Sequence, residues 1–216
     1  NNPTIANPFS VAVGEDVEYD WNIQNNNAAT DTPYCFRMTK SDGTVFDDYS
    51  AAYPTVRTAG YTAESKNWRW YDDENNETPT SPLALENTAP SNVVTENKLK
   101  LRVTLNETQG ADGVNQKFML QYSEWGDFSR GVTDLVGTST CTVNSIWCYA
   151  TSTTVFDDTA ISTLLLTDSA AKGRHNGAAT STSTSHPSAS TATEYEFTIK
   201  HAGARVNTTY FFRVFD

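Results

Sequence analysis

Hydrophobic and polar positions along this chain alternate with a period of two in many short runs, and long helical periodicity is nearly absent. In the run 98–105, Leu99, Leu101, Val103 and Leu105 fall on one face. Lys98, Lys100, Arg102 and Thr104 fall on the other, which predicts a strand with one buried side. Trp68 and Trp70 likewise share a face, with Arg69 opposite. Further strands are predicted at 11–13, 17–23, 34–39, 68–71, 117–122, 194–200 and 209–215. Turn chemistry separates them: SDG at 41–43, DDENN at 72–76 and GADG at 110–113. The best helical segment, 160–171, is weakened by its Thr and Ser content. The Ser/Thr-rich stretch 178–193 is low in complexity and reads as an exposed loop or tether, a candidate for O-glycosylation. The predicted fold is all-β, an antiparallel sandwich.

The chain also resembles itself. Glu18-Tyr19-Asp20-Trp21-Asn22-Ile23 matches Glu194-Tyr195-Glu196-Phe197-Thr198-Ile199, and Tyr34-Cys35-Phe36-Arg37-Met38 matches Tyr210-Phe211-Phe212-Arg213-Val214. Both matches carry the same offset with no gap between them, the signature of repeated architecture. The first copy is followed by further strand-like sequence, and the second falls at the end of the chain. Residues 1–59 therefore read as the last strands of one sandwich, or as a strand-donating segment. Residues 60–216 read as a sandwich lacking its final strand. Such a sandwich exposes an unpaired edge that something must cover. The adjoining part of a longer chain is one candidate. The other is the N-terminal segment of another copy, carrying Tyr49, Tyr53, Pro54 and Val56, added as a strand. Pairing of that kind runs head to tail and builds a fibre instead of a closed ring. Cys35 aligns with Phe211, which predicts a small buried core residue.

Composition narrows the setting. Only 19% of residues are charged, and polarity comes from Thr, Ser and Asn, as in secreted β proteins. The net charge of −11 repels phosphate backbones and anionic lipid heads, which argues against nucleic-acid and membrane-surface partners. No apolar stretch is long enough to span a bilayer as a helix. Cys141 and Cys148 bracket six residues, a spacing suited to a disulfide across a short loop. This implies an oxidising, extracellular compartment.

The run Asn67-Trp68-Arg69-Trp70-Tyr71-Asp72-Asp73-Glu74 resembles the "YRWYNDDG"-like opening of β-sandwich modules in large bacterial and archaeal surface proteins. Ala84-Leu85-Glu86-Asn87-Thr88-Ala89-Pro90 follows as an "ENTAP"-like segment. Leu101-Arg102-Val103 and Leu120-Gln121-Tyr122-Ser123 continue the pattern in order. The resemblance implies an immunoglobulin- or fibronectin-like sandwich in a secreted protein. It brings no catalytic residues with it.

Candidate chemistry is sparse. His175, His186 and His201 form no metal-spaced cluster and read as exposed polar residues. Acidic groups at Asp47-Asp48, Asp72-Asp73-Glu74 and Asp157-Asp158 read as solvated turns, with structural calcium as the alternative. The tryptophans read as core. Trp125, in a loop-like run, is the candidate for stacking on a sugar ring. Sequons place possible N-glycosylation at Asn76, Asn106 and Asn207. The expectation is a non-enzymatic structural module of a repetitive surface protein or filament, with copies of itself or adjoining repeats as partners. A carbohydrate-binding or adhesin module that engages surface glycans is the alternative.

Overall fold

The computed structural model describes residues 12–16, 18–40, 42–45, 53–111, 116–135, 137, 141, 145–152, 155, 157–177 and 191–215. The chain divides into two compact units, residues 1–59 and 60–216. The first holds one antiparallel strand pair, β1 (Pro33–Cys35) with β2 (Thr55–Arg57). The predicted strand at 17–23 does not form: residues 18–23 are irregular and exposed. Their counterparts at 194–199 form a strand because β4 flanks them along their length. Residues 12 and 13 form no strand either, and residue 11 lies outside the described residues.

The second unit is a sandwich of two sheets. Its strands are β3 (Ala63–Asp72), β4 (Leu99–Glu107), β5 (Met119–Ser123), β6 (Thr133–Asp134), β7 (Trp147–Tyr149), β8 (Ala171–Asn176), β9 (Ala192–His201) and β10 (Phe211–Phe215). One sheet runs β3-β4-β9-β7, with β8 parallel to β9, and the other runs β10-β5-β6. Every other strand pairing is antiparallel. The core lies between the sheets. It takes Leu99, Leu101, Val103 and Leu105 from β4, Tyr195, Phe197 and Ile199 from β9, and Leu120 and Tyr122 from β5. Trp70 and Trp147 join them, and Phe212 meets both rings edge-on at 5.2 and 5.0 Å.

An immunoglobulin-type sandwich places strands A-B-E-D in one sheet and G-F-C in the other. Here β3-β4-β9-β7 takes the A-B-E-D places and β10-β5-β6 takes F-C-C′. The place of strand G, beside β10, is unfilled among the described residues. Just before β10, Tyr210 forms the tyrosine corner of such folds, its hydroxyl accepting the Arg205 N–H at 3.0 Å.

The sequence duplication has a backbone counterpart at the same spacing. In the first unit the Ala29 N–H donates to the Tyr34 hydroxyl at 2.9 Å, as Arg205 does to Tyr210. Thr32 donates its hydroxyl to the Thr30 carbonyl, as Thr208 does to Val206. Asn27 and Gly203 have φ of 58° and 82°, and Asp31 and Asn207 have 49° and 55°, so the left-handed turns match too.

Three expectations need correction. Strand β4 is buried on both sides: Lys100, Arg102 and Thr104 are as enclosed as its leucines. Residues 73–82 and 157–176 supply the covering contacts, and cross-strand carboxylates on β9 make the burial of these charges tolerable. The segment 160–171 is not helical. Ile161 and Leu166 pin it down by burial, and Glu194 takes the backbone N–H groups of Leu165 and Leu166. The Ser/Thr-rich stretch ends earlier than predicted. Ala192 and Thr193 are buried in β9, while 178–190 lie outside the described residues.

Candidate functional site

The outer edge of β10 is the first candidate, and hydrogen-bond alternation fixes its chemistry. The Leu135 N–H donates to the Leu120 carbonyl at 3.0 Å, so Leu120 and Tyr122 turn their backbone groups toward β6. The Leu120 N–H accordingly goes to the Tyr149 hydroxyl at 2.8 Å. Met119, Gln121 and Ser123 then face β10, where they pair with Phe215, Arg213 and Phe211. By the same alternation, the N–H and C=O groups of Tyr210, Phe212 and Val214 point away from β5, toward the unfilled place. The side chains of those three residues pack against the core.

Near the C-terminal end of β10 a cavity of about 350 Å³ opens between the sheets. Tyr61, Ala63, Leu105, Phe118, Val214 and Phe215 line it. The opposing edge strand, β3, is treated differently. The Leu83 N–H donates to the Trp70 carbonyl and the Asn87 N–H to the Trp68 carbonyl, while the Asn87 side-chain oxygen accepts the Trp68 N–H at 2.9 Å. The "ENTAP"-like segment is thus an edge cover, and β10 has no such cover among the described residues.

The second candidate is the polar face of β4 and β9. Arg102 donates to Glu196 through Nε and to Glu194 through Nη1, the latter at 3.1 Å. Two further N–H groups, on Nη1 and Nη2, go to the carbonyls of Thr163 and Glu77, both at 3.0 Å. Lys100 Nζ lies 3.6 Å from Asp73 and 3.4 Å from Glu196, and it donates to the Asn76 carbonyl. His175 Nδ1 is 2.7 Å from Glu196 Oε1, the oxygen that Lys100 also approaches, while Arg102 takes Oε2. Burial pushes the Glu196 carboxyl up, but the His175 hydrogen bond and the charges of Arg102, His175 and Lys100 outweigh it and hold Glu196 below its ordinary range. Glu77 is also held low: burial works against this, and hydrogen bonds from Ser162 dominate. This network pairs the charges of a buried sheet face.

The predicted site residues are placed as follows. Cys141 and Cys148 are disulfide-bonded, tying the loop before β7 to that strand. Asn76 is exposed in the turn after β3, and Asn207 is exposed in the left-handed turn before β10. Asn106 is half-buried near the end of β4, between Glu64 and Ala192. Trp125 is 37% exposed, but Arg130 lies over its ring, 4.3 Å from the centroid. Tyr53, Pro54 and Val56 are exposed and lead into or lie within β2, and Tyr49 lies outside the described residues. So do Asp47 and Asp48.

Among the described residues, no three His, Cys, Asp or Glu side chains are grouped to hold a metal ion. Two histidines depart from expectation. His175 and His201 are buried, the first against Glu196 and the second against Trp147 at 4.8 Å. His186 lies outside the described residues. Cys35 also departs, because it is exposed. Its counterpart Phe211 is exposed too, since this strand position faces away from the core in the alternation that turns Phe212 inward. The open edge left little trace in residue types; the duplication was its signal. No family model, curated protein or solved structure matches the chain.

Proposed function

We propose that this chain is a structural module of a repetitive extracellular protein or filament, joined head to tail by strand complementation or tandem repetition. One observation carries the reading: a sandwich with strands in the A to F places and, among the described residues, an unpaired edge where G belongs, in a chain whose first unit holds an F–G-like pair. An exposed edge with core side chains beside it is unstable as a free surface and invites another strand. The disulfide is compatible with an extracellular setting. The aromatic residues favour structure over sugar binding. Trp70 and Trp147 are in the core, and Arg130 occupies one face of Trp125. The role is therefore read as mechanical, with no chemical step assigned.

Purified protein at high concentration should form linear polymers visible by negative-stain electron microscopy. A population that stays monomeric at every concentration, by light scattering, would count against the assembling form of this reading.

A further inference from the structure

We propose that the strand filling the place beside β10 is Pro54–Arg57 of a second copy, bound antiparallel with Val56 opposite Tyr210. This deepens the head-to-tail reading above and rests on it. The register comes from the first unit. There β2 pairs with β1 so that Tyr34 faces Val56 and Cys35 faces Thr55, and the Phe36 N–H donates to the Pro54 carbonyl at 2.8 Å. The Thr58 N–H donates to the Thr32 carbonyl at 3.1 Å. The backbone groups of Thr32, Tyr34 and Phe36 therefore point at the β2 strand, and those of Cys35 point away.

Carried over by the duplication, Tyr34 and Phe36 become Tyr210 and Phe212. Their backbone groups are the ones that the β5–β6 hydrogen-bond phase leaves facing outward on β10. The phases need not have agreed, because a one-residue slip would have turned them to β5. The agreement means that this strand, released from β1 of its own chain where the same backbone groups are used, finds donors and acceptors in step along β10, so the pairing is an exchange of one edge for another. Val56 and Pro54 would lie on the core side, beside Tyr210 and Phe212, and Thr55 would lie on the outer side beside Phe211. Pro54 suits the position: it offers only a carbonyl, and in the first unit only its carbonyl is used. Running antiparallel, the donor's N-terminal side heads along Val214 and Phe215 toward the 350 Å³ cavity.

Cysteine pairing tests the register. Thr55 and Phe211 would form a non-hydrogen-bonded pair, whose Cα atoms lie about 4.5 Å apart, within disulfide reach. In a Cys35→Ser background, the full chain carrying Thr55→Cys and Phe211→Cys should give a ladder of covalent multimers on oxidation. Thr55→Cys with Arg213→Cys, one step out of register on the same face, should give at least tenfold less. Equal yields, or a product linked only within one chain, would overturn the assignment. Val56→Asp, on an exposed side chain outside the sandwich core, should abolish both ladder and polymer; polymers that persist in it would also overturn the assignment. Polymers in the parent protein with no Thr55→Cys/Phe211→Cys ladder would sink this donor while leaving head-to-tail assembly standing. Absence of both would sink the two together.

Discussion

At the scale of single residues, the most consequential group is the one that hydrophobic patterning disguised. Lys100 and Arg102 read as the wet side of an alternating strand, because alternation shows that two faces differ but not that one meets water. Both are fully buried, and for Arg102 what makes this possible lies 92 to 94 residues away at Glu194 and Glu196, the second of which Lys100 shares. No local signal connects them; only the β4–β9 register does. The arrangement has a pH consequence. Glu196 is held below the ordinary 4.5 of a glutamate in the folded state. Its contribution to stability is therefore fully present above pH 4.5 and is lost as pH falls through the lower folded value, where the folded carboxylate finally takes up its proton. Urea unfolding should show stability holding down to about pH 4.5, the ordinary glutamate value, and falling below it until the folded carboxyl is protonated too. Glu196→Gln should cost about 3 kcal/mol at pH 7, by leaving Arg102 and Lys100 partly uncompensated, and should flatten the acid slope. An unchanged slope would show that other carboxylates dominate it.

At the scale of elements, strands that carry their own alternating pattern and also find a partner were the legible ones. β4, β9, β5 and β10 all coincide with alternating runs, to within a few residues at their ends. β8 was invisible, since Ala171–Asn176 has no alternation and owes its extended form to the neighbouring β9. Residues 18–23 failed in the opposite sense, with the right pattern and no strand formed. Pairing thus overrode local pattern in both directions. The same principle explains Asn87, which sits at φ 58° so that its backbone and side chain can both serve Trp68 on the β3 edge. Asn87→Ala removes the side-chain acceptor and strains the left-handed turn, and should cost about 2 kcal/mol in denaturant unfolding. Amide exchange at Trp68 should quicken in parallel. If exchange there is unaltered, the cover over β3 is held by other bonds.

At the scale of the whole molecule, the informative fact is an asymmetry between two edges of one sandwich. The β3 edge is sealed by the segment that follows it, and the β10 edge is open among the described residues although its side chains pack against the core cluster. The duplication made this readable from sequence in outline: it pointed to a strand after 209–215 that the second unit does not contain among its described residues. What it left undetermined was the hydrogen-bond phase, which depends on how β5 and β6 share their backbone groups. If other copies fill the open place, folding and association are linked, because a strand that binds only the folded sandwich stabilises it by mass action. The apparent melting temperature should then rise steadily as protein concentration is raised a hundredfold. At saturating complementation, each tenfold step adds about 1.4 kcal/mol to the apparent stability. Val56→Asp should remove the dependence while leaving the melting temperature at high dilution unchanged, since Val56 is exposed and outside the sandwich core. A melting temperature independent of concentration in the parent protein would mean that each sandwich completes its edge without a second copy.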